Sequence, residues 1–523
     1  MRFIFVLIAM FSVNGLTGQT ISGVINQYSK VSGQSSCQNS LIVSNPEYFS
    51  IEEDVIIIQM QGAVIDEADN NSFGVVSNYN GAGSYEKGII INIEDDTIFF
   101  KNNFENTYDF TGKVQMVTFP NYQNVTITGV VTALPWDGEV GGVCAFQVLE
   151  TLTMDAEINV DGLGFRGGEK MEVSGNSCSW LFESSSYFYP NTSNESTSKG
   201  EGISALIKSK EFGKGAQANG GGGGNDHNSG GGGGANYGSG GIGGRNNDPG
   251  LFNCQGVHPG IGGKSIDYTS TRAVLGGGGG AGHGNNGLST GGANGGGIVI
   301  ISGGYLEGSN KSITSNGLNA NTTTGGDGAG GGGAGGSVIL NIITYGVDLS
   351  ISTQGGSGGD SYNEAYTRCF GPGGGGAGGL IHGYNNFSSV TTNVLGGTPG
   401  VVTGSTSGCN GSTNSATAGG AGNTLTNLSI PFGKGAPDCL TVGGREVGLA
   451  GLKVYPNPSN SFFTIENQKS RSQIIELIDS KGALIKVFEI TNTLKIGETL
   501  VPGVYFIRLK NHKSVQHKKL IKL

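Results

Sequence analysis

The run Gly162–Gly167, Gly-Leu-Gly-Phe-Arg-Gly, has the glycine spacing of a dinucleotide-binding loop. Such a loop needs a strand before it and a helix after it, because the helix N-terminus holds the pyrophosphate. A strand is predicted before the loop at Glu157–Val160, but Glu169–Trp180 contains Gly175 and lacks the apolar period of a helix. The pattern therefore favours a turn that leaves a strand over a nucleotide site.

Two other glycine runs match catalytic or phosphate-binding patterns only formally. Gly355–Gly359 places Ser357 as in the nucleophile turn of an α/β-hydrolase, which requires a strand-to-helix turn and partner Asp and His side chains. The sequence around it indicates neither feature. Gly260–Ser265 ends in Gly-Lys-Ser, but His258 stands where a phosphate loop needs its first glycine. Both runs are interpreted as glycine-rich turns.

Histidines and loop aspartates are the remaining candidate ligands. The six histidines, none in a zinc-binding spacing, are His227, His258, His283, His382, His512 and His517. The aspartates in loops rich in Gly and Asn are Asp226, Asp248, Asp327 and Asp360. Calcium prefers such carboxylates in flexible turns, but Asp is also a common turn former. We expect turn roles and no cofactor, and keep a calcium-binding module as an alternative.

Aromatic side chains cluster in Trp180–Tyr189, and Trp136 lies nearer the N-terminus. Exposed aromatic groups can stack on sugars or on partner proteins. Core packing or the end of a hairpin is the interpretation that we favour.

The amino-acid composition argues against several classes of protein. Glycine supplies 100 of 523 residues without a Gly-X-Y period, which excludes collagen. The net charge is −10 and charged residues are only 13%, whereas a nucleic-acid-binding protein needs a basic surface. Residues 452–523 hold 12 basic and 5 acidic residues, so a basic tail follows an acidic body. We expect no nucleic-acid partner and two units with separate roles.

The N-terminus predicts export. Residues 1–18 combine a basic tip, the apolar run Phe3–Phe11 and small residues, as a signal peptide does, with cleavage expected near Gly18 and Gln19. No later apolar run is long enough to span a membrane. The seven cysteines of an exported chain are expected to form disulfides, with at least one thiol left over and the connectivity open.

The fold class predicted for the chain is all-β. Residues 19–150 contain short runs rich in Val, Ile, Phe and Thr, which predict a β-rich module. The predicted strands are Val55–Met60, Gly88–Ile93, Thr97–Phe100, Lys113–Phe119 and Val125–Val131.

Residues 151–445 form a Gly-rich repeat region. Ala334 and Ala377 occupy equivalent places in two similar glycine tracts, 43 residues apart, and the short strands Ser312–Thr314 and Ser350–Ser352 are offset by 38. One such unit cannot bury its own core, but stacked copies can, which predicts a β-solenoid-like middle. The tracts themselves are either flexible loops or ordered polyglycine helices that tolerate only small side chains at contacts.

The last module, residues 452–523, predicts a small antiparallel β-sandwich. The turn Asp479–Gly482 separates the alternating runs Ile474–Ile478 and Leu484–Phe488, and Pro502-Gly503 makes a turn before Val504–Leu509.

These residues resemble the type A C-terminal sorting domain of the type IX secretion system of Bacteroidetes. The resemblance rests on Leu452–Pro458, Phe463–Ile465, Ile475–Gly482, Leu500–Leu509 and the basic end Lys518–Leu523. Its motif residues here are Tyr455, Pro456, Asn457, Pro458, Gly482, Gly503 and Tyr505. The resemblance implies recognition by the outer-membrane secretion machinery, removal of the domain just before Leu452 and attachment of a surface anchor. Val55–Asp66, and Leu134–Gly142 with Gly162–Gly168, also resemble the opening of uncharacterised Gly-rich exported bacterial proteins, which implies no activity.

The sequence thus predicts a secreted or cell-surface protein with a structural or adhesive role and no enzymatic activity. Its expected partners are the secretion machinery and surface glycans or other cells. One alternative is a secreted β-solenoid enzyme that degrades polysaccharides, with Asp161 and Arg166 as candidate catalytic residues. A glycan- or calcium-binding module is the other alternative. A structure with two carboxylates and a basic residue in one groove would favour the enzyme.

Overall fold

The computed structural model describes residues 18–35, 37–170, 185–190, 196–247, 256–268, 272–435, 452–469, 472–480, 482–511 and 514–523. The chain forms two compact units, Met1–Asp438 and Cys439–Leu523. Within the described ranges every long element is a strand, with two 3₁₀ turns at Pro46–Tyr48 and Phe110–Gly112 and no α-helix. The all-β prediction is confirmed.

The strands of the first unit are β1 (Gln19–Val24), β2 (Tyr28–Gly33), β3 (Ser40–Val43), β4 (Asp54–Gln59), β5 (Val64–Ile65), β6 (Val76–Asn78), β7 (Tyr85–Glu94), β8 (Thr97–Phe100), β9 (Val114–Thr118), β10 (Asn121–Tyr122), β11 (Val125–Thr132), β12 (Val143–Met154), β13 (Ile158–Asn159), β14 (Ile298–Glu307), β15 (Ser312–Thr314), β16 (Ser337–Tyr345), β17 (Leu349–Ser352), β18 (Ser361–Tyr362), β19 (Leu380–Gly383), β20 (Val390–Asn393), β21 (Val402–Thr403) and β22 (Asn423–Leu425). Those of the second unit are β23 (Leu452–Tyr455), β24 (Phe463–Asn467), β25 (Gln473–Asp479), β26 (Leu484–Ile490), β27 (Thr493–Ile496), β28 (Gly503–Asn511) and β29 (Ser514–Lys522).

A closed antiparallel barrel forms the front of the first unit. Its strand order is β2-β3-β8-β7-β4-β9, and its interior is filled by Val, Ile, Leu, Met and Phe side chains. The central strand β4 is apolar on both faces, because Val55 and Ile57 point into the barrel core while Ile56 and Ile58 pack in a second core outside it. The five strands predicted in this part of the chain correspond to β4, β7, β8, β9 and β11.

The next layer is a parallel, solenoid-like sheet. Four successive turns of the chain each supply a first strand and a second strand: β12 and β13, β14 and β15, β16 and β17, and β19 and β20. First strands pair with first strands and second strands with second strands, all in parallel, and an apolar core lies between the two rows. Strand β11 pairs with both β12 and β13, and β1 pairs with β11.

The sequence repeats set the register of this sheet. Ser337 pairs with Leu380, an offset of 43, and Ser312 pairs with Ser350, an offset of 38. These are the offsets between the glycine tracts and between the short strands, so each repeat is one turn of the solenoid. The predicted solenoid-like stacking is confirmed.

Between turns of the solenoid the chain leaves as a Gly-rich hairpin, and the hairpin tracts pack on each other. The tract 328–336 shows the pattern, because its successive backbone N–H groups point in three directions in turn. Gly328, Gly331 and Ala334 donate to the segment 277–283, while Ala329, Gly332 and Gly335 donate to the segment 371–377. Gly333 and Gly336 donate to Leu318 and Ser315. A repeat of about three residues is that of an extended polyproline-II-type helix.

Glycine is required in these tracts because neighbouring chains come into backbone contact. A Cβ on Gly332 would lie 2.1 Å from the carbonyl oxygen of Gly356. The tracts are buried, and where small side chains do occur, Ala235, Ala334 and Ala377 pack together with no exposed surface. Of the two states considered for the tracts, the structure therefore has the ordered and packed one.

The second unit is an antiparallel sandwich of a three-stranded sheet, β23-β24-β27, and a four-stranded sheet, β26-β25-β28-β29. Alternate residues of both sheets face a common core that includes Val454, Phe463, Ile475 and Ile507. The predicted small sandwich is confirmed.

One disulfide, Cys369–Cys409, joins two described cysteines, and Cys37 is also disulfide-bonded. Cys144 is a free, buried thiol. It is therefore an unpaired cysteine of the kind that an odd number of cysteines requires. Cys178, Cys254 and Cys439 lie outside the described residues. Over the described ranges the structure has no helix long and apolar enough to cross a membrane.

Candidate functional site

The motif Tyr455–Pro458 covers the open edge of the four-stranded sheet. Strand β29 lies at that edge, and no further strand of the sheet follows it among the described residues. The Asn457 side chain donates to the carbonyl oxygen of Lys519 (2.8 Å) and accepts from the Ile521 N–H (2.9 Å), as a neighbouring strand would. Ser459 continues this pairing with Ile521 and Leu523. A loop thus replaces the missing strand, which protects an edge that would otherwise pair with another chain.

Other motif residues face solvent beside this edge. Tyr455 is 43% exposed, and Pro456 and Pro458 are also exposed. The Tyr455 ring lies 5.5 Å from the Lys453 ammonium, and its hydroxyl donates to the Glu466 carboxylate at 3.4 Å. Tyr455, Pro456 and Pro458 therefore form an accessible aromatic and proline surface, while Asn457 holds the loop.

The remaining motif residues shape turns and the core. Gly482 has φ +85°, and no atom lies within 4 Å of the place where a Cβ would be, so the backbone conformation of the β25–β26 turn is what favours glycine. Tyr505 is buried in the core, and its hydroxyl donates to the carbonyl oxygen of Val501 at 2.9 Å. Gly503 begins β28 after Pro502, and a Cβ there would meet only ordinary contacts with Tyr505.

The basic C-terminal end is divided between the two faces of β29. Lys518 and Lys522 are buried, and the Lys522 ammonium donates to the carbonyl oxygen of Ser461, whereas Lys519 is exposed. On the outer face of the same sheet, Arg508 pairs with Glu476. Part of the basic character therefore stabilises the sandwich, which the sequence alone did not reveal.

In the body, the two candidate catalytic residues have separate structural partners. The Asp161 carboxylate accepts hydrogen bonds from the backbone N–H and side-chain amide of Asn316, at 2.6 and 3.2 Å. Arg166 forms an ion pair with Glu201 and donates to the carbonyl oxygen of Asp137. The glycine motif around them packs tightly, since a Cβ on Gly164 would lie 2.2 Å from the carbonyl oxygen of Gly296.

The histidines and aspartates of the glycine loops meet where the hairpins turn. His283 Nδ1 accepts from the Asn228 N–H at 3.2 Å, and the His227 ring packs edge-on against Phe370. The buried Asp327 carboxylate accepts from the backbone N–H groups of Asn285 (3.3 Å) and Leu288 (2.8 Å). Burial raises the pKa of the Asp327 carboxyl to about 6.

Asp360 joins two segments of the chain, whereas His382 lies on strand β19. Asp360 accepts from the Val401 N–H at 2.8 Å, and His382 Nε2 lies 3.3 Å from the carbonyl oxygen of Thr426. Burial lowers the pKa of the His382 imidazole. In the described part of the chain no three His, Cys, Asp or Glu side chains are grouped to hold a metal ion. Asp248 and His512 lie outside the described residues.

The described aromatic residues pack against other side chains. Trp136 meets Phe165 edge-on at 5.9 Å, and Phe188 lies 5.5 Å from Phe73. The Lys214 ammonium lies 4.7 Å from the Tyr187 ring. Trp180 and Phe182 lie outside the described residues.

The sequence interpretation missed an exposed aromatic pair at the hairpin ends. Tyr362 and Tyr366 are 41% and 55% exposed, and the Arg368 guanidinium lies 4.5 Å from the Tyr366 ring. The disulfide Cys369–Cys409 follows directly and joins this hairpin end to the next one. The glycine-poor stretch Ser361–Phe370 between two glycine tracts was the signal in the sequence.

The comparisons with known proteins concern the second unit. The family model of the secretion system C-terminal sorting domain matches residues 453–523, which include all seven strands of the sandwich apart from Leu452. No curated protein matches the chain. The match and the sandwich geometry agree with the motif residues, so the predicted sorting domain is confirmed. Residues 453–523 are a secretion system C-terminal sorting domain, which supports export of the protein through the type IX secretion system.

Proposed function

We propose that the exported body is a rigid, non-catalytic surface protein with a structural or adhesive role. The observation that carries the proposal is the packed glycine core, which holds the hairpin-end loops on a fixed scaffold. Binding residues are commonly found on loops positioned in this way. The proposed partners are surface glycans or other cells.

The physical argument for rigidity comes from the backbone. The N–H groups of the tract 328–336 reach three different neighbouring segments, at 2.8–3.0 Å for Gly328, Gly332 and Gly333. A core of this kind orders few flexible side chains, so little side-chain entropy opposes it. The disulfide Cys369–Cys409 then fixes two adjacent hairpin ends to each other.

The contact surface proposed for adhesion is the pair Tyr362 and Tyr366 with Arg368. Tyrosine and arginine dominate binding energy at protein surfaces, because each combines a large contact area with hydrogen-bonding groups. Arg368 is also paired with Glu364, four residues earlier, which orients the guanidinium over the Tyr366 ring.

The test uses cells that produce the full chain. The double variant Tyr362→Ser, Tyr366→Ser should reduce attachment of the cells to surfaces coated with cell envelopes, while the amount of protein at the surface stays constant by immunoassay. Tyr48→Ser is the matched control, because Tyr48 is 43% exposed but lies near the barrel. Equal attachment by the double variant and the wild type would contradict the adhesive role of this surface.

The route and final location form the second part of the proposal. An N-terminal signal peptide delivers the chain to the periplasm, the sorting domain directs it across the outer membrane, and the body then stays attached there. Mass spectrometry of the mature protein tests the removal of the signal peptide, with an N-terminus at Gln19 expected. A protein recovered entirely from the medium would contradict the attachment.

A further inference from the structure

A cavity of about 520 Å³ opens beside the barrel of the first unit. Its lining comes from the end of β6 and the turn after it, the segment before the second 3₁₀ turn, and one residue far along the chain. The lining residues are Ser77, Asn78, Tyr79, Asn80, Gly81, Thr107, Tyr108, Asp109 and Arg272. The volume is that of a typical small-ligand site.

The cavity walls are held in place by one buried amide. Gln59, on β4, has no exposed surface, and its side chain donates to the carbonyl oxygen of Asn80 (2.8 Å) while accepting from the Asp109 N–H (2.8 Å). Asn80 in turn donates to the Asp109 carboxylate at 2.6 Å. The two walls are therefore joined before any ligand arrives, which reduces the entropy lost on binding.

Both charged groups of the lining are already engaged by the protein. The Asp109 carboxylate also accepts from the backbone N–H and hydroxyl of Thr111, at 3.0 and 2.7 Å. The Arg272 guanidinium lies 4.0 Å from the Tyr79 ring and donates to the carbonyl oxygens of Ala82 and Asp267. One positive and one negative side chain leave the site without net charge, which disfavours phosphate, nucleotide and uronic-acid ligands.

The other lining side chains are hydroxyls, amides and two tyrosines. Amide and hydroxyl groups both donate and accept hydrogen bonds, as sugar hydroxyls do, and the side chains of Ser77, Asn78 and Thr107 are exposed. Tyr108 is buried in the barrel core, so the half-buried Tyr79, which carries Arg272 against its ring, is the tyrosine that can pack against the C–H groups of a sugar. A polar lining of this kind does not suit a lipid.

We infer that this cavity binds a neutral saccharide. The surface proposed for adhesion involves other residues than this cavity. The saccharide site and the adhesive surface can therefore be tested independently.

The test uses the purified full chain and calorimetry with neutral disaccharides: cellobiose, maltose, lactose and N,N′-diacetylchitobiose. At least one should bind saturably, whereas digalacturonate and inorganic phosphate should not. Thr107→Trp, which fills the cavity, should weaken that binding by about tenfold or more. Thr391→Trp is the control, because Thr391 is exposed on β20 and does not line the cavity.

Each outcome decides the inference. Binding of a neutral disaccharide that Thr107→Trp abolishes and Thr391→Trp preserves would support it. No saturable binding by any neutral probe, stronger binding of the anionic probes, or equal binding by Thr107→Trp and the wild type would overturn it. Loss of saccharide binding with normal cell attachment would leave the adhesive role of Tyr362 and Tyr366 intact.

Discussion

The packed glycine tracts of the body, called here the glycine bundle, have a core of backbone atoms, whereas the C-terminal sandwich has a core of apolar side chains. In the sandwich, apolar side chains of two sheets meet, with Phe463 and Ile507 fully buried. In the glycine bundle, the backbone atoms of neighbouring tracts are in direct contact. Three alanines form the apolar cluster among the tracts. The sandwich depends on where side chains are placed, and the bundle depends on where they are missing.

This difference explains why glycines have different roles in the two units. A Cβ on Gly332 would meet the backbone of a neighbouring segment, whereas a Cβ on Gly482 would meet nothing and only the backbone conformation favours glycine there. The structural disturbance caused by a glycine substitution should therefore spread to neighbouring segments in the bundle. In the turn of the sandwich it should stay local. The predictions below test this contrast between the two units.

The largest expected effect is the loss of export when residues 452–523 are deleted. The sorting domain is a separate compact unit, so the body should still fold but should accumulate in the periplasm. Fractionation of cells that produce the truncated chain measures this. Normal amounts outside the cell would show that the body carries its own export signal.

The second effect is a large loss of body stability in Gly332→Val. Overpacking at a tight site costs about 1–3 kcal/mol and sometimes more, and here the obstacle is backbone rather than a movable side chain. Gly408→Val is the matched control, because Gly408 is exposed and has no atom within 4 Å of a Cβ. Thermal melts of the full chain compare the two variants. Equal midpoints would mean that the tracts are not packed in solution.

The sequence predicted the repetitive parts of the fold well. The offsets of 43 and 38 residues predicted the solenoid register because each turn repeats nearly the same length of chain. Strand positions such as Thr97–Phe100 followed from β-branched and aromatic runs. The sorting motif was equally readable, because its residues act within one short unit.

Contacts between distant segments were not readable from the sequence. Asn228 donates to the carbonyl oxygen of Gly326 across 98 residues, and Arg272 reaches Ala82 across 190. Both β4 and β11 are predicted as strands from their sequences, yet β4 joins the barrel and β11 joins the parallel sheet. Local patterns specify strands, but the partners of those strands depend on the whole chain.

The third prediction concerns pH and the bundle. Burial raises the pKa of Asp327 from an ordinary value of 3.8 to about 6, so the folded body binds a proton more readily than the unfolded chain. Its contribution to stability is present below pH 4 and is lost as the pH rises through about 6. The free energy of unfolding of the body should fall by roughly 1–3 kcal/mol over this range.

Urea unfolding between pH 4 and 7 measures this slope. Asp327→Asn should flatten it, whereas Asp360→Asn, which changes a half-buried aspartate bonded to the Val401 N–H, should keep it. The nearby His227 and His283 are retained in all three proteins. An unchanged slope in Asp327→Asn would assign the pH dependence to other groups.

The smallest expected effect lies at the edge of the sandwich. There the Asn457 side chain covers β29, whereas in the bundle each tract is covered by neighbouring segments of the same chain. Asn457→Ala removes two hydrogen bonds to β29, which should cost about 1–2 kcal/mol. The cost stays modest because Ser459 still pairs with Ile521 and Leu523. Hydrogen exchange at the Ile521 amide should accelerate while the core of the sandwich stays protected.

The control is Asn460→Ala, which changes an exposed asparagine three residues further along the chain. If Asn457→Ala exchanges no faster than Asn460→Ala, the loop does not hold this edge, and the protection of β29 must come from the backbone of Ser459 alone.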